Sequence, residues 1–184
     1  MKKVRAIIAA LMACITLFSL TSCAGFKVVD DEDVFFDALD KVVSIEKEET
    51  RYEKNTRFSG SKVEYLIEAK SGDNTYRYVR FKKEDDAMDF FDDMYQNVDT
   101  IVAEKEFKGN HKISESKTRG TISLDGEVEY GLDLKDVYVS GDTDFYGTIC
   151  VNKNVFIQVY SLNGSKRDKE KINNVLKELG LPKP

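Results

Sequence analysis

Apolar residues recur at three- and four-residue steps in three segments, a spacing that predicts amphipathic helices. The segments are residues 32–45, 84–101 and 166–179. The second has the most regular apolar stripe, which consists of Ala87, Phe90, Phe91, Met94, Val98 and Ile101. The third follows Ser165, with Asp168 three residues later as in a capping box, and ends before Gly180, which suits a left-handed helix cap.

Alternating and short apolar runs elsewhere predict β-strands joined as hairpins. Two hairpins are predicted at residues 63–81 and 145–160, with polar turns at residues 71–74 and 152–154. A third is predicted at residues 122–134, because Asp125-Gly126 between alternating runs favours a tight turn. Residues 137–139 predict another short strand, whereas residues 46–60 are polar and are interpreted mostly as loop.

These elements together predict an α+β fold. Hairpins place consecutive strands side by side, so we expect an antiparallel sheet, with about three amphipathic helices covering one side of it or packing at its edges. Residues 63–101 and 145–179 are each a hairpin followed by a helix, which suggests a weak ββα repeat. Residues 30–184 have the length of a single domain.

The amino-terminal segment has a different pattern. Residues 1–5 contain three cations and no acid, and residues 6–20 form an uncharged and mostly apolar run. A helix of fifteen residues spans roughly 22 Å, short of the roughly 30 Å hydrocarbon core of a bilayer. The pattern is typical of a signal peptide rather than of a membrane-spanning helix.

Leu20-Thr21-Ser22-Cys23 resembles the lipobox of bacterial lipoproteins, in which an aliphatic residue and two small residues precede an invariant cysteine. The resemblance covers only the first 23 residues. It implies cleavage after Ser22 and a diacylglyceryl group on the sulfur of Cys23, which would anchor the protein on the extracytoplasmic face of the cell membrane. Residues 23–29 would form a short tether. The alternative is an ordinary secreted protein with a cysteine near its cleavage site by chance.

The net charge and the cysteine content limit the classes of binding partner that are expected. Removal of residues 1–22 takes away three cations and leaves 25 Lys and Arg against 33 Asp and Glu, a net charge of −8. Such an acidic chain is a poor candidate for binding nucleic acid, and its net charge predicts repulsion from an anionic membrane. Cys150 lies in an apolar run and is interpreted as a small buried hydrophobic residue.

Few residues indicate catalysis or a cofactor. The sequence has one histidine, His111, which is interpreted as part of an exposed loop, and it contains no phosphate-binding loop or nucleophile elbow. One histidine and one apolar-strand cysteine are too few for a zinc site. The acidic segments 30–33 and 142–144 are candidates for calcium, but neither has EF-hand spacing, and they are interpreted as a helix start and a turn. No cofactor is predicted.

Opposite charges collect on two of the predicted helices. The helix at 166–179 is rich in lysine and arginine, whereas the helix at 84–101 has an acidic face that includes Asp85, Asp86, Asp89, Asp92 and Asp93. Solvated faces are one interpretation, and a docking face for a protein of the cell envelope is the other.

The leading functional hypothesis is a non-enzymatic lipoprotein that binds or supports a partner at the membrane. The alternatives are a hydrolase or transferase that uses carboxylates on an envelope polymer, and a small solute-binding lipoprotein.

Overall fold

The chain is represented by a computed structural model that describes residues 29–184. Its α-helices are α1 (Glu32–Val43), α2 (Glu84–Ala103) and α3 (Lys166–Glu178), with a short 3₁₀-helix at Lys47–Glu49. Its strands are β1 (Arg51–Lys54), β2 (Arg57–Phe58), β3 (Ser61–Ser71), β4 (Asn74–Phe81), β5 (Phe107–Ser116), β6 (Arg119–Val128), β7 (Gly131–Asp133), β8 (Tyr138–Ser140), β9 (Thr143–Asn152) and β10 (Val155–Ser161).

Eight of these strands form one antiparallel sheet. The strand order is β1-β3-β4-β10-β9-β6-β5, with β2 paired to β3, while β7 and β8 form a separate hairpin. The α+β class and the antiparallel sheet predicted from the sequence are therefore confirmed. Within residues 29–184, no helix is long and apolar enough to cross a membrane.

Helices cover both faces of the sheet, whereas the sequence led us to expect them on one side of it or at its edges. Helix α2 packs on one face, whereas α1 and α3 pack on the other. The central strands explain the difference, because their side chains are apolar in both directions. In β4, Tyr78 faces α1 and α3, while its neighbour Val79 faces α2, and both are fully buried. A strand that carries apolar side chains on both faces is stable only when other elements pack on both faces.

The predicted turn at Asp125-Gly126 is wrong. Strand β6 runs straight through both residues, and it pairs with β5 on one side and with β9 on the other. Two complete hydrogen-bonded ladders outweigh the local preference for a turn. Residues 46–60 also contain more structure than expected, since they form the 3₁₀-helix, β1 and β2.

Both predicted hairpin–helix units form, but they are not arranged symmetrically. Strands β4 and β10 lie side by side and antiparallel at the centre of the sheet. A twofold axis perpendicular to the sheet would place both following helices on the same face, yet α2 and α3 lie on opposite faces. The repeated order of elements therefore does not produce a repeated packing.

The ends of α3 follow the sequence pattern. The Ser165 hydroxyl accepts a hydrogen bond from the Asp168 backbone N–H at 3.2 Å and caps the start of the helix. At the other end, Gly180 has φ +68° and the Leu181 N–H donates to the Leu176 carbonyl at 2.8 Å. These contacts fix the position of the basic helix on the sheet.

Candidate functional sites

Four chain segments meet at one end of the large sheet and bring a group of cations together. They are the β2–β3 turn, the connection from β4 to α2, the β9–β10 turn and the β5–β6 turn. Backbone hydrogen bonds tie them into a row: the Lys82 N–H donates to Lys62 at 3.1 Å, Phe81 to Asn154 at 2.8 Å, and Lys153 to Thr118 at 2.7 Å. We call the exposed cations of this row the basic rim: Lys54, Arg57, Lys62, Lys82, Lys83, Lys117, Arg119 and Lys153.

Carboxylates such as Glu53, Glu64 and Glu115 occur at the same end of the sheet, but they do not pair with the basic rim. None of its eight members forms an ion pair within residues 29–184, although ten ion pairs occur elsewhere in that part of the chain. Glu84 and Asp85 follow Lys83 directly, but they occupy the first turn of α2. The positive end of the helix dipole offsets part of their charge there. The rim is therefore a cation-rich surface on an acidic chain.

Part of the basic rim surrounds a depression of about 430 Å³. Its lining residues are Asn55, Thr56, Arg57, Lys62 and Lys82. Asn55 has φ +50°, a conformation that asparagine tolerates, and its side-chain oxygen accepts a hydrogen bond from Lys82 Nζ at 2.9 Å. Three cations, an amide and a hydroxyl form a set of donors suited to an anion.

The other end of the sheet is acidic. The segments that meet there contain Asp73, Glu104, Glu106, Glu127, Glu129, Asp142 and Asp144. They are also connected through the backbone, because Glu129 donates to Glu106 at 2.8 Å and Asp142 donates to Glu129 at 3.2 Å. We call this surface the acidic end. Lys70, Lys105 and Lys108 also lie in these segments, and Lys108 pairs with Glu129, but acidic side chains outnumber basic ones at this end.

The five aspartates predicted as a docking face all lie on α2, but they do not form a uniform free surface. Asp85, Asp89 and Asp93 are exposed, whereas Asp86 and Asp92 are half-buried. Asp93 forms an ion pair with Lys135 at 2.6 Å. A hydrogen bond with Asp92 raises the pKa of Glu115, in the edge strand β5, to about 7. Two of the five aspartates are thus occupied by contacts within the protein.

A buried group of polar residues, which the sequence analysis did not identify, lies beneath the β7–β8 hairpin. The Arg77 guanidinium in β4 donates to Glu68 at 2.5 Å, and also to Asp136 and Gln158. The Arg77 side chain is only 5% exposed. We call these four residues the arginine cluster. An arginine inside the apolar run of residues 75–81 was the one signal in the sequence that could have indicated it.

The arginine cluster holds the β7–β8 hairpin against the sheet. Burial raises the pKa of Asp136, and the nearby Arg77 charge opposes that shift. For Glu68 burial acts in the same direction, but hydrogen bonding and attraction from Arg77 outweigh it and lower the pKa. Both carboxylates serve as partners of one guanidinium, which keeps the hairpin loop over the centre of the sheet.

The remaining predicted residues fall in separate places. Ser22 and Cys23 lie outside the described residues. Cys150 is 1% exposed, and burial raises the pKa of its thiol to about 12. His111 is exposed, as expected, but lies in strand β5 rather than in a loop. Asp31 caps α1 by accepting from the Asp33 N–H at 3.0 Å, and Asp142 occupies a turn with φ +55°.

A second depression, of about 360 Å³, lies beside the edge strand β5. It is lined by Gly109, Asn110, His111, Lys112, Ser123 and Pro184. No aspartate or glutamate is among the residues that line these two depressions in the described part of the chain. Within residues 29–184, no three histidine, cysteine, aspartate or glutamate side chains come together in a way that could hold a metal ion.

Comparison with known proteins identifies no family. No protein-family model matches the chain, and no curated protein matches it. Among solved structures, a GTP binding regulator from Thermotoga maritima is similar over 80% of this chain and 90% of its own, at 12% identity and a TM-score of 0.34. A TM-score this low does not establish a shared fold, so what that protein binds says nothing about this chain.

Proposed function

We propose that the protein is a lipoprotein anchored outside the cytoplasm through Cys23, and that it serves as a non-enzymatic module that binds or supports a partner at the membrane. The observation that carries the proposal is the order of features in residues 1–23: cations, an uncharged apolar run, and Leu20-Thr21-Ser22-Cys23. Two acyl chains on one cysteine anchor a protein stably without a spanning helix.

The state of the cysteines supports this assignment. Cys14 would leave with the leader, and Cys150 is buried within the sheet with a raised thiol pKa, so it is a poor substrate for acylation. Cys23 is the thiol that remains for modification. The exposed aspartates of α2 remain our candidate contact for an envelope protein.

The test is intact mass and fractionation of the full chain expressed in a bacterial host that processes lipoproteins. We expect membrane-bound protein that has lost residues 1–22 and gained the mass of a diacylglyceryl group. Cys23→Ser should abolish the added mass, and any Cys23→Ser protein that has lost residues 1–22 should be released from membranes by a carbonate wash. Cys150→Ala is the matched control and should be processed like the wild type. A Cys23→Ser protein that lacks residues 1–22 and still remains with the membranes after the wash would contradict the proposal.

A further inference from the structure

We propose that the basic rim rests on an anionic phospholipid surface, with headgroup phosphates occupying the depression lined by Arg57, Lys62 and Lys82. The molecule would then stand with its strands upright and its acidic end away from the membrane. This inference rests on the proposed anchoring through Cys23, and it adds an orientation and a second, electrostatic contact to that anchoring.

The first support is the placement of the cations. They come from four separate chain segments, yet the sheet topology brings all of them to one end, where each is exposed and none is paired with a carboxylate in residues 29–184. Lysines elsewhere in the described chain are often paired, for example Lys41 with Glu178 and Lys169 with Asp125. A row of exposed cations without ion pairs is complementary in charge to a surface of phosphates.

The second support is the separation between the two charged ends. Strand β4 has eight residues and therefore spans about 25 Å. The Debye length at physiological salt is about 8 Å. With the basic rim on the membrane, the acidic end lies several Debye lengths away and its repulsion is screened. The net charge of −8 predicts repulsion only if charge is spread evenly, and the structure shows that it is not.

The third support is the distance from the first described residue, Val29, to the plane of the basic rim. Val29 is buried beside α1, and the Tyr52 hydroxyl donates to Glu32 at 3.5 Å. Strand register places Tyr52 level with Tyr78 in β4. Lys82 is four residues further along the chain, or about 13 Å. Residues 23–28 can span at most roughly 20 Å, so an anchor on Cys23 reaches the plane of the basic rim. The same length of chain would also let the acidic end face the membrane. The reach of the anchor therefore permits both orientations, and the attraction between the basic rim and anionic lipid favours the first.

The experiment measures co-sedimentation with vesicles of the chain without residues 1–22, the form that processing would leave, with Cys23→Ser in every protein. This chain cannot be acylated, so the result does not depend on whether Cys23 is modified in cells. Pure phosphatidylcholine vesicles are compared with vesicles that also contain phosphatidylglycerol. The rim variant is Arg57→Gln/Lys62→Gln/Lys82→Gln. The matched control is Arg167→Gln/Lys166→Gln/Lys177→Gln, which also removes one arginine and two lysines, here from exposed positions of α3.

We expect phosphatidylglycerol to increase binding of the Cys23→Ser chain and of the control, and added salt to reverse the increase. A cation near an anionic surface contributes about fivefold to partitioning, so the rim variant should lose on the order of a hundredfold. Equal binding by the rim variant and the control, or no effect of phosphatidylglycerol, would overturn the proposal. So would displacement by millimolar inorganic phosphate without any preference for phosphatidylglycerol, since the occupant would then be a soluble anion. Failure of Cys23 acylation would appear in the mass measurement instead.

Discussion

Gly109 in β5 and Gly126 in β6 lie directly opposite one another, and their backbones are too close for a side chain at either of these two positions. A Cβ atom built on Gly126 would lie 2.2 Å from the Lys108 carbonyl oxygen and 2.7 Å from the Gly109 Cα. The glycine that suggested a turn in the sequence is therefore required for close pairing of two long strands.

We expect Gly126→Ala to destabilise the protein by about 1–3 kcal/mol, because the added methyl group must push β5 away from β6. Urea unfolding measures the loss. Hydrogen exchange should detect this destabilisation first in the amides of β5, because β5 is the edge strand of the sheet in the described part of the chain. Ser114→Ala, at an exposed position of the same strand, is the control and should change stability by less than about 0.5 kcal/mol. Equal stability of Gly126→Ala and the wild type would show that the close approach is relaxed in solution.

Arg77 provides a second prediction, on the arginine cluster. Arg77→Gln leaves Glu68 and Asp136 without their common cation in a mostly buried setting, where removal of one partner costs about 3–5 kcal/mol. We expect urea unfolding to show a loss of this size, together with faster hydrogen exchange in the β7–β8 hairpin that Asp136 holds.

The compound variant Arg77→Met/Glu68→Gln/Asp136→Asn tests the cause. It removes the two unpaired carboxylates together with the guanidinium, so it should recover part of the stability that Arg77→Gln loses. If the compound variant were less stable than Arg77→Gln, burial of unpaired charge would not be the reason for the loss, and the contribution of Arg77 would lie in packing.

Local periodicity was enough to predict the helices and the hairpins β3–β4 and β9–β10, but not the contacts between distant segments. Helix α2 was predicted at residues 84–101 because its apolar stripe is regular, and it is found at Glu84–Ala103. Strand β5 has almost no buried side chain and therefore no apolar alternation, so nothing in its own residues indicated a strand. Its partner β6 was predicted to turn at Asp125-Gly126, because the pairing with β5 that keeps β6 extended there could not be seen from the sequence.

The basic rim was missed because it depends on topology. Lys62, Lys117 and Lys153 are separated by more than thirty residues each and belong to unrelated turns. Only the strand order shows that these turns share one end of the sheet. Strand β10, in which Gln158 is the one polar residue between Val155 and Tyr160, did carry a readable signal, because strands buried on both faces require helices on both faces. This pattern could have led us to predict helices on both faces of the sheet.

Glu115 and Asp92 predict a dependence of stability on pH. The hydrogen bond with Asp92 raises the pKa of Glu115 from its ordinary 4.5 to about 7 in the folded protein. A raised folded-state pKa contributes stability that is complete below the unfolded value and is lost as pH rises through the folded value. We therefore expect this pair to lower the melting temperature as pH increases from about 5 to 8.

Glu115→Gln should flatten that part of the pH profile, because glutamine keeps a hydrogen-bond donor to Asp92 but does not ionise. Glu104→Gln, at an exposed position of the acidic end, is the control and should leave the profile unchanged. Glu115 is mostly exposed, so solvent and salt weaken the coupling, and the difference should shrink in high salt. A Glu115→Gln profile that parallels the wild type would contradict a shared proton.

Thiol titration of the protein purified from membranes separates the two cysteines that would remain after processing. Cys150 is fully enclosed, and burial raises the pKa of its thiol to about 12, so a water-soluble disulfide reagent should not react with it in the folded protein. If Cys23 carries lipid on its sulfur, the folded protein should titrate no thiol, and the unfolded protein should titrate one. The Cys150→Ala protein should titrate none in either state. A thiol that reacts in folded Cys150→Ala protein could only belong to an unmodified Cys23 or to a retained leader, and the proposed anchor would then be absent.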